Sequence, residues 1–383
     1  MTMNPKLYTF LWAVATVIFI ILSSLAVASV AKLIARWRGK NQLYQSRTFA
    51  GYFFASPWIV GYIIFVIGPT LASLYWSFTR FKLPEPPVWV GLQNYIQLLT
   101  TDDQFRVSIL NSIYVTLFGL PLQLATALVL ALLLYRRLPG EQVFRMIYYL
   151  PVMLAANSAM LITWRLVLNP NNGILNTLIR IVESVFPFLV PVRQVVVWFT
   201  ELTNAAFLGL QRGDFNLLQQ TVARGLPGPD VMPLWHQSQL WSKPAIIFIG
   251  VWSCGAMMMI YLAALCSVPT HLYEAALVDG ANGWQRFWRI TFPMISPATF
   301  YNLVVGIIAT LQIFEQSYVL TDNGGPAQST YFVAYYLWRS TFRFNKIGYG
   351  AAMSWILLVL ILVLTLIQFR LANRWVYYEY EEA

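Results

Sequence analysis

Long apolar runs dominate the chain, and its polar residues gather between them. A helix that crosses the ~30 Å hydrocarbon core of a bilayer needs about 20 mainly apolar residues. It must also satisfy its backbone polar groups internally. About seven segments meet that standard: 8–31, 57–78, 114–134, 146–168, 246–266, 298–319 and 349–369. Segment 186–210 is apolar in stretches such as Val195-Val196-Val197-Trp198-Phe199, but Pro187, Pro191, Arg193 and Glu201 interrupt it. It therefore reads as part of an extracytoplasmic insertion, 169–243, whose amphipathic helices rest on the outer mouth. Within it, Asp214 is placed to cap a helix whose Phe215, Leu217, Leu218 and Val222 share one face.

Composition agrees with the pattern. Apolar residues make up 58% of the chain and charged residues 10%, against ~25% charged in ordinary soluble domains. Lipid is the natural solvent for such a surface. The net charge of +10 does not form a single patch of the kind that binds nucleic acid. Instead, Lys32, Arg36, Arg38, Lys40 and Arg47 follow the first run, and Arg136, Arg137 and Arg145 follow the third. Arg286 and Arg289 follow the fifth, and Arg370 and Arg374 the seventh. Placed on the cytoplasmic side, these charges put the N-terminus outside and the C-terminus inside. Only Lys6 precedes the first run, which is the charge order of a reverse anchor rather than a cleaved signal peptide. Cys254 and Cys266 share one apolar segment, which speaks against a structural disulfide. His236 and His271 stand far apart and read as loop or surface residues rather than metal ligands.

The expected organisation is an N-terminal anchor with a basic linker (1–48), a three-helix half (49–168), the insertion (169–243) and a second three-helix half (244–383). The second half carries a polar interspan segment, 268–297. That segment reads as two short helices with a turn between them. Thr270 is a plausible cap ahead of Glu274, Ala275 and Ala276 permit close approach of another surface, Gly280 suits a sharp turn and Pro293 ends the second helix.

Glu274-Ala275-Ala276, three residues, Gly280, nine residues, Ile290, two residues, Pro293 closely resembles the cytoplasmic coupling motif of ABC importer permeases. Val90-Gly91-Leu92-Gln93-Asn94-Tyr95 resembles that family's first outer loop, and Trp164 with Asn169 to Asn176 the end of its third core helix. Leu320-Thr321-Asp322-Asn323-Gly324-Gly325-Pro326 is similar to the maltose-type, carbohydrate-importing branch. The chain departs from the maltose permease in placing its long insertion after the third core helix, and in the extra polar residue at Asp322-Asn323.

The resemblance implies an all-α integral membrane protein: a six-helix permease core plus one added N-terminal helix, in a bacterial cytoplasmic membrane. It implies a second, homologous permease subunit, a periplasmic or lipid-anchored solute-binding protein, and two ATPase subunits that bind ATP and Mg. This chain would bind no cofactor and catalyse nothing, in keeping with its lack of a Gly-Lys-Ser/Thr phosphate loop. Glu274, Ala275, Ala276, Leu277, Asp279, Gly280, Ala281, Ile290 and Pro293 would form the ATPase-coupling segment, with Leu277 and Ala281 as apolar contacts. For Leu277 the alternative is packing onto the permease's own helices.

Gln312 and Glu315, three apart in the sixth run, are expected to share one helical face. Polar groups at bilayer depth cost ~2.5–3.5 kcal/mol when charged and often line a pathway. Phe314 and Trp252 offer aromatic faces to a hydroxyl-rich ligand, and Asn157, Ser158 and Gln123 are further polar candidates. Interhelical hydrogen bonding is the alternative role for Gln312 and Glu315. A sugar or oligosaccharide is the expected substrate. A non-sugar solute such as a glycerol-phosphate-like compound is the alternative, disfavoured by the lack of deep basic residues in the spans. A self-sufficient secondary transporter would need more buried acids than Glu315, and a membrane-embedded enzyme would need a nucleophile or metal cluster.

Overall fold

The computed structural model describes residues 5–135, 140–155 and 158–377. The chain divides into two compact units, residues 1–79 and 80–383.

The first unit is a helical hairpin. Helix α1 spans Pro5–Trp37 and α2 spans Gln42–Ser77. Gly39, at φ +67°, closes α1: its N–H reaches the Arg36 carbonyl and that of Lys40 reaches Ala35, the paired bonds of a glycine-terminated helix. Asn41 then opens α2 by accepting a bond from the Tyr44 N–H at 2.9 Å. Ser24, Ala28 and Ala35 of α1 and Ser56 of α2 are buried. Small residues of this kind let membrane helices approach closely.

The second unit is built almost wholly of helices. After a short α3 (Gln93–Thr100), Asp102 caps the long α4 (Asp103–Tyr135) through the Phe105 N–H. Next come α5 (Glu141–Ala155), α6 (Ser158–Val167) and the three insertion helices, α7 (Ile174–Val185), α8 (Leu189–Arg212) and α9 (Asn216–Arg224). The remainder comprises α10 (Ser242–Trp252), α11 (Gly255–Ser267), α12 (Thr270–Val278), α13 (Gly283–Met294), α14 (Ser296–Leu311), α15 (Val333–Trp338) and α16 (Ile347–Ala372).

Among the described residues, α1, α2, α4 and α16 are long and apolar enough to cross a membrane. Three bent pairs, α5 with α6, α10 with α11, and α13 with α14, pass the same test, for a total of up to seven spans. Helix α8 is not among them, in agreement with the reading of 186–210. Its buried face carries Glu201, Asn204 and Gln211, which demand partners. Trp241 donates to Glu201 at 3.1 Å, Arg224 pairs with Glu201, and Gln211 donates to the Val107 carbonyl at 2.9 Å. Removing one partner of such a pair costs about 3–5 kcal/mol.

Of the five wide π-turns among the described residues, three lie at Ile63–Ile67, Val115–Gly119 and Phe287–Thr291. Each is followed two residues later by a proline: Pro69, Pro121 and Pro293. Proline lacks an N–H and its ring crowds the carbonyl four residues back. One extra residue in the preceding turn removes the clash and rebonds the ladder. The sixth run departs from expectation: α14 ends at Leu311 and helical structure resumes only at Glu315. Gln312 and Glu315 therefore do not share a continuous helical face.

Three apolar clusters hold the second unit together. One joins insertion to spans through Trp164, Val197, Trp235, Trp241 and Ile246. A second gathers Phe105, Tyr331, Tyr335 and Met353, and a third Ala127, Ala131, Met258, Leu262 and Ile295. Helices approach very closely at Gly255, where a Cβ would lie 2.2 Å from the Tyr148 carbonyl oxygen. Asp322 and Asn323, the extra polar residues, stand at φ +53° and +63°, just before Gly324 and Gly325. These are among the side chains that best tolerate a left-handed backbone.

Candidate functional site

The segment between α11 and α14 is a two-helix knob. Val268 is extended because Pro269 follows it, which ends α11 and starts α12 at Thr270. Thr270 makes no capping bond, contrary to expectation, and Glu274 lies beyond the first turn. The other end is as read: Gly280 has φ +75°, with the Gly280 N–H on the Leu277 carbonyl at 3.1 Å and the Ala281 N–H on Ala276 at 2.9 Å. Both bonds require the left-handed residue that glycine supplies without strain. Asn282 then caps α13 in a reciprocal pair with Gln285, bonds of 2.9 and 2.8 Å. This box is legible as Asn-x-x-Gln but was not part of the sequence reading.

The knob has an inner and an outer face. Tyr273, Ile290 and Met294 pack onto the cluster around Met258 and Leu262, and the Tyr273 hydroxyl meets Thr291 Oγ1 at 3.0 Å. Outward, Leu277 is 55% exposed, Val278 90% and Trp284 70%. Glu274, Ala275, Asp279 and Gly280 are also exposed, while Ala276, Ala281, Ile290 and Pro293 are half-buried. Leu277 therefore does not pack into the chain's own core. Trp284, Phe287, Trp288 and Phe292 form a contiguous aromatic row along α13, with ring centroids 5.1–6.3 Å apart. A soluble surface rarely presents so much apolar area on so small a projection unless another surface covers it.

A cavity of about 190 Å³ lies among the core helices. Its polar lining converges from four elements: Gln123 of α4, Ser253 after α10, Thr310 of α14, and Gln316. Trp164 and Met257 supply apolar walls. Gly250 leaves room for the Gln123 amide, since a Cβ there would stand 2.5 Å from its Nε2. Thr310 is oriented by bonds to Thr116 Oγ1 at 3.0 Å and to the Gly306 carbonyl at 2.9 Å.

Among the described pathway candidates, only Gln123 lines this cavity. Gln312 is exposed and Glu315 half-buried. Phe314 joins an aromatic group with Tyr318 at 5.7 Å and Trp338 at 5.6 Å. Trp252 meets Trp164 edge to face at 5.1 Å, so it supports the wall from behind. Ser158 is exposed, and Asn157 lies outside the described residues. Gln316, Ser253 and Thr310 were missed, because a helix break after Leu311 brings Gln316 to the position that unbroken periodicity assigns elsewhere.

Two basic groups are buried, one of them against its reading as a loop or surface residue. His236 is buried in the insertion rather than at the surface. Burial and the nearby Arg165 hold its imidazole below the usual range. Lys243 is wholly buried. Its ammonium sits 5.1 Å from the Tyr114 ring centroid and 5.2 Å from that of Phe207, with no hydrogen-bond acceptor among the described residues.

Comparisons with known proteins place this geometry in a lineage. Residues 104–377 match the family described as the binding-protein-dependent transport system inner membrane component. The probable ABC transporter permease protein YesP of Bacillus subtilis is 32% identical over 344 residues, covering 90% of this chain and 96% of the relative. The arabinooligosaccharides transport system permease protein AraP of the same organism is 27% identical, covering 88% and 93%. The trehalose/maltose transport system permease protein MalF of Thermococcus litoralis is also 27% identical, covering 84% and 93%. In fold, the chain is similar to a solved bacterial ABC transporter involved in the import of the acidic polysaccharide alginate. The TM-score is 0.61 at 22% identity, covering 87% of this chain and 99% of that one. With its apolar helices and a family match over most of its length, this chain is a permease of the binding-protein-dependent transport family, a multi-pass inner membrane protein.

Proposed function

We propose that this permease carries a sugar or oligosaccharide across the cytoplasmic membrane, driven by ATP hydrolysis on separate subunits. The relatives named for arabinooligosaccharides and for trehalose and maltose support the substrate class. The convergence of two amides and two hydroxyls on the core cavity supports it chemically, since sugars need donors and acceptors on many sides. At about 190 Å³ the cavity is smaller than the ~300–1,000 Å³ of ordinary small-molecule pockets. It would widen, and a second homologous permease would complete it, during passage.

The knob's two faces carry the coupling half of the proposal. Its inner residues fasten it to α11 and α14, so a push on the outer face reaches the spans. Two ATPase subunits holding Mg-ATP would close on the cytoplasmic side, one of them taking Leu277, Val278 and Trp284 into a groove with Glu274 on its polar rim. A periplasmic or lipid-anchored binding protein would deliver substrate at the opposite mouth, with the N-terminus outside and the C-terminus inside. No catalytic residue of this chain takes part.

The test is ATPase activity of the reconstituted complex across a panel of oligosaccharides presented by the binding protein. Stimulation by one sugar class supports the proposal. A well-assembled complex that no sugar stimulates removes the sugar, and failure to assemble with any ATPase overturns the coupling assignment.

The cavity makes a separate prediction. Gln316→Leu and Gln123→Leu each remove one amide and should raise the KM for sugar-stimulated hydrolysis roughly tenfold, on the order of one lost hydrogen bond. Basal ATPase activity and assembly should be unchanged. An unaltered KM in both variants would place the sugar path elsewhere.

A further inference from the structure

Helices α1 and α2 leave a groove of about 540 Å³ between them where they converge on their connecting turn. Its α1 wall is apolar, with Val30 and Ile34, its α2 wall mixes Ala55 and Gly51 with Thr48 and Tyr52, and the end at the turn carries Arg38, Lys40 and Tyr44. Lys40 Nζ stands 5.5 Å from the Tyr44 ring centroid, so cation and hydroxyl share one corner. Lys32, Arg36 and Arg47 lie nearby in sequence, and no acidic residue occurs before Glu85. Nothing in this hairpin neutralises that corner from within.

Length and charge together select an occupant. From Val27 to Arg38 the groove runs along about 16 Å of helix, which matches the ~15 Å depth of one bilayer leaflet. A ligand that fits must be apolar for that depth and anionic at the end. We propose that this groove binds one anionic phospholipid, with its headgroup phosphate on Arg38 and Lys40 and an acyl chain along Val30, Ile34 and Ala55. The start of α2 at the same corner adds its positive dipole end. A diffuse basic surface attracts anionic lipid without holding any one molecule, whereas a walled groove with two cations at its end holds a single lipid in place.

The purified full-length permease complex, equilibrated with mixed vesicles of equal phosphatidylglycerol and phosphatidylcholine and then washed in detergent, is examined by native mass spectrometry for retained lipid. The wild type should keep phosphatidylglycerol over phosphatidylcholine by about tenfold. Arg38→Gln with Lys40→Gln should abolish that preference. Arg36→Gln with Arg47→Gln removes the same charge from outside the groove and should leave the preference intact. Equal retention of the two lipids by the wild type overturns the proposal whatever the variants do. Equal loss in both double variants also overturns it, by showing a diffuse field instead of a site, as would a protein segment retained in the groove in place of lipid.

Discussion

Gly280→Asp is expected to reduce sugar-stimulated ATPase activity and transport to background while the chain still inserts and remains in the membrane. The residue stands at φ +75° on the exposed turn of the knob, and a Cβ there would meet nothing within 4 Å. A side chain can therefore leave the backbone here without its Cβ touching any described residue. The internal cost of aspartate is the left-handed backbone, about 1–2 kcal/mol for an ordinary side chain and less for Asp or Asn. The larger effect falls on whatever covers the turn, which would meet added bulk and a second carboxylate beside Asp279. Gly280→Asn carries similar backbone strain without the charge, so comparing the two separates strain from docking. Normal uptake by the Asp variant would sink the coupling role. If Gly280→Asp is lost from the membrane, the knob is a folding element first.

Lys243→Glu should be among the most destabilising single changes in the second unit. The wild-type ammonium lies between the faces of Tyr114 and Phe207, where aromatic quadrupoles offset part of its desolvation. A carboxylate in the same place would face the negative side of both rings with no donor in reach, at a cost on the order of 3–5 kcal/mol. Lys243→Met keeps most of the side-chain volume and removes the desolvation cost, so it should match or exceed the wild type. The readout is the half-life of the folded protein in detergent at a fixed elevated temperature, followed by tryptophan fluorescence, because unfolding of such proteins is a rate measurement. The expected order is Met at or above wild type, with Glu far below. A methionine variant as short-lived as the glutamate one would show that the cation is itself a net stabiliser of the contact between α8 and α4.

Both variants bear on how far the amino-acid order alone can be read. The apolar runs, the position of the knob and its glycine turn were legible because each rests on local physics. A span needs about 20 apolar residues wherever it occurs, and a left-handed turn wants glycine whatever surrounds it. The rejection of 186–210 as a span was legible for a related reason: Arg193 and Glu201 are costly in hydrocarbon, and the fold supplies each with a partner inside the insertion.

Tertiary structure decided the rest. Periodicity treats the sixth run as one helix, which pairs Gln312 with Glu315. The break after Leu311 instead leaves Gln312 exposed and brings Gln316 to the cavity. That cavity draws on residues as distant as Gln123 and Gln316, and no spacing rule joins positions that only helix packing brings together. Lys243 reads as a boundary charge at the end of an insertion, yet it is buried because Phe207 of α8 folds back over it. Local turn and span chemistry is written in neighbouring residues, whereas burial and convergence depend on which surfaces meet, and here only the packed helices determine that.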